Sequence, residues 1–263
     1  MNSPLKSLLA ACVFAASPFG AGAAELAPHQ AGYTVVMDEN RDASVTAVSG
    51  QVMLGLQQVC EGWLQQQSNM MNMHLPSGDV VPQSVNFSSL ESGTTYRFST
   101  KVGGSAEGST LGRAEMPADG GAGRAVYGRP KDTNFVLPPG TLFPMAHARF
   151  LIDGAQSGKM QLQSHIFEGV EVEGAKLLVA FVTPLSDRAK GVVNAVGGDF
   201  LHRPGWNFRL AYFDPANQTG EPLYEVEVDL LDNGVALRWI LDYGTFSVEM
   251  KLAKVEAVAP PHC

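Results

Sequence analysis

The sequence predicts a mainly β protein built on a meandering antiparallel sheet, and three observations carry that prediction. Short runs with apolar side chains at alternate positions recur from Tyr33 to Glu249, punctuated by glycine, proline, asparagine and aspartate. Helical spacing is clearest in one place, the stretch entered at Pro144. The chain also ends on Cys263, whose partner in an oxidising compartment would be Cys60, so that one bond closes almost the whole domain.

The compartment is read from the start of the chain. Residues 1 to about 24 have a polar start with Lys6, an apolar run from Leu8 to Ala16, a break at Pro18 and a small-residue exit, Ala21-Gly22-Ala23. This is the layout of a secretory signal cut near Ala23/Ala24, leaving a single exported domain over residues 25 to 263. A rival reading takes Leu9-Ala10-Ala11-Cys12 as a lipoprotein cleavage box and places a lipid on Cys12, although the apolar segment before it is very short. No later stretch has the roughly 18 consecutive apolar residues of a membrane span, so the exported protein is expected to be soluble.

About 240 residues remain, enough for one large all-β domain or two small ones. Lys6 is the one charged residue lost with the signal, so 17 basic residues face 26 acidic ones and the net charge moves from −8 to −9. That balance, without a basic cluster, argues against nucleic acid or an anionic membrane as partner. Cys60 and Cys263 are the two cysteines left. Their bond would close a loop of about 200 residues and add up to roughly 5 kcal/mol in the chain-entropy account.

Taken in order, Tyr33, Val35 and Met37 share one parity and give a first strand, ended by the polar turn Asp38 to Asp42. A second runs through Val45 to Ser49 and on to Leu56 with even positions apolar, and a third from Trp63 to Met73 before the turn Pro76-Ser77-Gly78-Asp79. Val85 to Leu90, Thr94 to Lys101, Leu111 to Met116 and Arg124 to Tyr127 continue the meander between glycines. Pro144 suits a first helical turn and Gly158 a stop, with Phe143, His147, Phe150 and Leu151 on one stripe. Met160 to Phe167, Lys176 to Thr183 and Trp206 to Phe213 read as strands. The connection from Pro184 to Pro204 is read as a loop in which Asp187 to Gly191 forms at most a helical turn or stays mobile.

The last strands permit a register. Tyr224, Val226, Val228 and Leu230 alternate with Glu225, Glu227 and Asp229, and Asn233-Gly234 suits a two-residue type I′ turn. Leu230 is then expected opposite Leu237, Val228 opposite Trp239 and Asp229 opposite Arg238. A turn at Tyr243-Gly244 would set Leu241 opposite Phe246, Trp239 opposite Val248 and Arg238 opposite Glu249, with Arg238 between two acids on the solvent face.

No reaction emerges from the motifs. There is no G-x-S-x-G elbow, H-E-x-x-H helix, zinc-spaced cysteine set or phosphate loop, so no catalytic, cofactor or metal residue is assigned. His147 borders a buried stripe and lacks a neighbouring carboxylate or nucleophile in sequence. Met70, Met71, Met73 and His74 have soft-metal chemistry, but adjacent methionines on a strand point to opposite faces. A convergent hydrolase, a carrier of lipids or lipoproteins in a curved-sheet groove, and a non-catalytic binding protein therefore all stay open on the residues alone.

Together, Leu26-Ala27-Pro28-His29, Cys60-Glu61-Gly62-Trp63, the stretch Leu137 to His147 and the terminal cysteine resemble the EipB family of alphaproteobacterial cell-envelope integrity proteins. The resemblance spans nearly the whole exported chain. It implies one twisted antiparallel sheet forming a β-spiral with a few short helices, a Cys60 to Cys263 disulfide, and no catalytic residues. It further implies a periplasmic role in envelope maintenance through a protein partner, for which the family suggests a periplasmic repeat lipoprotein. A lipid or lipoprotein carrier with a Lol-like groove is the alternative.

Overall fold

The computed structural model describes residues 24 to 42, 44 to 103, 108 to 216 and 220 to 263. The expected export signal and Cys12 lie outside the described residues. Among the described residues, fourteen strands form one sheet, with every neighbouring pair antiparallel. At its centre is β1 (His29–Asn40). One wing runs outward through β2 (Ala47–Val59), β3 (Gly62–His74), β4 (Val80–Ser92), β5 (Thr95–Val102), β6 (Thr110–Glu115), β7 (Gly123–Arg129) and β8 (Thr133–Leu137). The chain then crosses through helix α1 (Pro144–Gln156) to the opposite edge. It returns inward through β9 (Gln161–Ile166), β10 (Lys176–Pro184), β11 (Gly205–Phe213), β12 (Tyr224–Leu231), β13 (Ala236–Asp242) and β14 (Phe246–Ala257), and β14 pairs with β1.

The sheet curls on itself without closing by strand pairing, because β8 and β9 remain its edges. Its inner face carries the alternating apolar residues that the sequence predicts. Leu151, Ile152 and Ala155 of α1 pack with Leu178, Ala180, Phe208, Leu210 and Val228 of the returning wing and with Trp63 of the outgoing one. The helix is thus held between the wings. A second cluster on the outgoing wing is aromatic, with Phe143 stacked on Tyr96 at 5.0 Å between ring centroids and Phe167 edge-on to Phe98 at 5.4 Å.

Helix α1 starts at Pro144, as its proline predicts, and chain turns away at Gly158. Its first turn holds no acid and Phe143 offers no capping side chain. Glu91 on β4 caps it instead, accepting from the Met145 and Ala146 amides at 2.7 and 2.9 Å.

Four sequence expectations are corrected. Residues Asp187–Val196 form a helix, α2, followed by a 3-10 turn at Asp199–Leu201. Ser186 caps α2 by accepting from the Ala189 amide at 3.1 Å, and Ala189 and Val192 bury its inner side.

The β12–β13 turn has three residues rather than two: Leu231 O accepts from Gly234 N, the Leu231 amide donates to Val235 O, and Gly234 takes φ +84°. Leu230 therefore faces Ala236, and a bulge restores the expected Asp229–Arg238 and Val228–Trp239 pairs. The β13–β14 register differs by two residues, so Trp239 faces Met250 and Leu241 faces Val248. A shift of two keeps every side chain on its expected face.

The fourth correction is environmental. Arg238 is 3% exposed rather than on a solvent face, because the start of α2 covers that side of β12 and β13.

Candidate functional site

The Cys60–Cys263 disulfide sits at the centre of the sheet. Cys60 lies in the two-residue turn after β2, where Val59 pairs with Gly62. Cys263 follows the tail beyond β14, whose Val258 amide donates to Pro28 O at 2.9 Å. Between them runs β1, with His29 paired to Leu56 on one side and Ala257 on the other. The bond, with Cα atoms 5.6 Å apart, thus ties the two wings together across the start of β1.

The wings meet again at their outer edges. Leu142 bridges to Ile166, and the segment that follows β9 crosses the aromatic cluster of the outgoing wing. A row of hydroxyls holds its backbone: Tyr96 donates to Glu168 O at 2.8 Å, Thr110 to Gly169 O at 3.0 Å and Thr100 to Val170 O at 2.9 Å. Tyr127 is shared between the carbonyls of Glu171 and Glu173, at 2.7 and 3.0 Å. Gly169 lies at φ +70°, and any side chain there would meet the Phe98 ring. Lys176 anchors the far end, pairing with Glu173 and donating to Tyr224 Oη at 3.1 Å. These polar groups are spent on holding the seam.

The catalytic candidates do not assemble. His147 is buried, its ring stacked on Phe150 at 6.3 Å, and its Nε2 has no hydrogen-bond partner among the described residues. Burial pushes its pKa down to about 4. Since the folded value lies below that of the unfolded chain, the unfolded state binds more protons between about pH 6.5 and pH 4, and stability falls as the pH falls through that window. Urea unfolding at pH 7.5 and pH 4.5 should therefore show an acid loss larger in the wild type than in His147→Phe, by up to about 3 kcal/mol. Equal losses would place the imidazole in contact with solvent or a partner.

Among the described residues, no group of three or more His, Cys, Asp or Glu side chains could hold a metal ion. The methionine stretch divides as alternation predicts: Met70 is exposed, whereas Met71 and Met73 pack against the core. His74 is 3.3 Å from Ser49 Oγ.

What the outer face of the outgoing wing presents is a groove of about 590 Å³. One row across the sheet reads Leu64, Leu90, Arg97, Arg113 and Val126, each directly opposite the next on β3 to β7. Leu111, 53% exposed, borders it. Arg97 and Arg113 are both exposed and lie side by side on adjacent strands. No ion pair is made by either among the described residues, although the chain is acidic overall. Like charges directly opposite each other are destabilising, so an anion between them would relieve the face. The sequence reading missed this site because these residues become neighbours only once five strands are in register.

Among the described residues, no helix is long and apolar enough to cross a membrane. The EipB-like family matches residues 20 to 259 of the chain. The cell envelope integrity protein EipB of Brucella abortus (strain 2308) is 26% identical over 251 residues, covering 92% of this chain and 88% of the relative. A Brucella abortus crystal structure, described as a β-barrel-like protein of a domain of unknown function, DUF1849, superposes with a TM-score of 0.80 at 22% identity. The superposition spans 90% of this chain and 100% of that one, so the fold extends over nearly all of both. With the family match running from before the first strand to beyond the last, the chain belongs to the EipB-like family.

Proposed function

We propose that this protein works in the periplasm without turnover, supporting cell-envelope integrity by binding a protein partner through the outer groove. The observation that carries the reading is the Arg97–Arg113 pair set between Leu64 and Leu90 on one side and Val126 on the other. A partner segment with an acidic residue flanked by apolar ones matches that row in charge and in hydrophobicity. The groove is open along the sheet, which suits a protein segment more than a small ligand, since small-molecule pockets enclose most of their ligand. The name of the Brucella relative supports the envelope role, and the disposition of His147 and the seam supports binding over catalysis.

A carrier of lipids or lipoproteins is the second reading. It has less support, since the small pocket bounded by Tyr33, Val52, Leu54, Gln67, Trp239 and Met250 is about 10 Å³, room for roughly one water.

The test is complementation of a deletion strain with an Arg97→Ser, Arg113→Ser double variant. The variant should be exported and should melt within about 2 °C of the wild type, because it removes two exposed charges and no core contact. It should restore less than about a tenth of the resistance to detergents and cell-wall antibiotics. Full rescue by a stably exported variant would remove the groove from the function.

A further inference from the structure

Ala24, just past the small-residue exit Ala21-Gly22-Ala23, belongs to the core of the domain. It is 5% exposed and packs in the same cluster as Leu26, Leu151 and Ile152. Its nitrogen donates to Asp153 Oδ1 at 2.6 Å. Asp153 is oddly placed for a carboxylate. It lies in the last turn of α1, where the helix dipole disfavours an anion, and that turn contains no basic residue. Nor does Asp153 form an ion pair with any lysine, arginine or histidine among the described residues. A cation is missing from this end of the helix, and the atom aimed at the carboxylate is a backbone nitrogen one residue beyond an export-signal cleavage pattern.

We propose that the Ala23–Ala24 peptide bond is the processing site and that the α-ammonium released there is the counter-ion of Asp153. An export signal peptidase would hydrolyse the bond with one water: the C–N bond breaks, the water oxygen adds to the Ala23 carbonyl carbon, and Ala23 departs as a carboxylate on the signal. The Ala24 nitrogen takes up both protons of the water and leaves as an ammonium at neutral pH. A neutral amide donating one hydrogen bond thereby becomes a cation with three donors, on a carboxylate already within reach.

The geometry fixes the register of the cut. Cleavage after Ala24 would delete a buried residue and leave Asp153 unpaired. Cleavage before Ala23 would carry the charge about 3.8 Å further along the chain and keep an amide at Ala24. Processing therefore adds a positive charge to a contact that the precursor makes with a neutral amide, and the exported form is the more stable one. The domain then starts at Ala24, at the Ala23/Ala24 cut that the small-residue exit suggests.

The experiment begins with the mass and N-terminal sequence of the protein exported by its own host, expected to start at Ala24. Four purified proteins are then melted: chains starting at Ala24 or retaining Ala23, each with Asp153 or with Asp153→Asn. Retaining Ala23 should lower Tm by about 4 to 8 °C in the Asp153 background and by less than about 2 °C in the Asp153→Asn background. Labelling of the Ala24 α-amine by an acylating reagent at pH 7 should also be at least about tenfold slower with Asp153 than with Asn, a readout that lost packing alone would not give. A mature start at any other residue, equal Tm losses in both backgrounds, or labelling rates independent of residue 153 would each overturn the proposal.

Discussion

Arg238→Ala is expected to lower the unfolding free energy by about 3 to 5 kcal/mol, the range for breaking a buried ion pair from one side. The guanidinium, 3% exposed, donates through Nε to Asp229 Oδ2 at 3.0 Å and through Nη2 to Glu227, with Glu249 3.5 Å from Nη1. Asp229 is fully buried. It also accepts from the amide and hydroxyl of Ser186, at 3.2 and 2.9 Å, and from Asn207 at 3.1 Å. Ser186 in turn caps α2. Truncating Arg238 would therefore strand a buried carboxylate and loosen the anchor of the helix that covers it. Urea denaturation of the single variant measures the loss, and amide exchange at Ala189 and Lys190 reads the helix start. Replacing Arg238 by Met together with Asp229 by Leu should recover only part of the loss: the buried charge and one counter-charge leave together, but Ser186 and Asn207 lose their acceptor. A loss below about 1 kcal/mol for Arg238→Ala would return this pair to the category of surface salt bridges.

The same residues show how far the sequence could be read. Alternation along Tyr224 to Leu230 and the complementary charges of Asp229 and Arg238 were enough to pair the two strands, and that pairing stands in the structure. Alternation assigns side chains to faces, but it does not say what lies over a face. The side bearing Arg238 was expected in water because the segment over it, Asp187 to Val196, read as a connection.

A signal for α2 was present: Ser186-Asp187 make a helix start, and Ala189, Val192, Val193 and Val196 have helical spacing. It is only ten residues long and carries a glycine at 191, which masked it. Other features were not legible at all. The cap of α1 comes from Glu91, more than fifty residues upstream, and the row from Leu64 to Val126 draws on five strands. Local patterns specify elements, whereas these contacts depend on how the sheet curls.

Loss of the Cys60–Cys263 bond should be the other large effect. Cys60→Ser with Cys263→Ser, which leaves no lone thiol among the described residues, is expected to lose about 2 to 5 kcal/mol, as for other long-loop disulfides. The sequence separation of 203 puts the entropy term near the upper end. The position of the bond says where the damage should appear. It spans β1, so removing it frees the tail after Ala257 and weakens the hold of β2 and β14 on the strand between them. Limited proteolysis should cut the tail first, and amide exchange should rise earliest near His29 and Leu56. Arg97 and Arg113 lie on β5 and β6, beyond three intervening strands on the outgoing wing. Well below its melting temperature the serine variant should therefore keep envelope resistance, and lose it on warming through its own lowered transition. The Arg97→Ser, Arg113→Ser protein should instead fail at every temperature while remaining folded. Failure of the serine variant at low temperature, with its melting transition intact above it, would mean that the disulfide shapes the binding surface directly. Peptide mapping without reductant, which should recover Cys60 and Cys263 in one linked pair, has to precede the comparison. A reduced pair in exported material would leave the closure to β1 and the hydroxyl row alone.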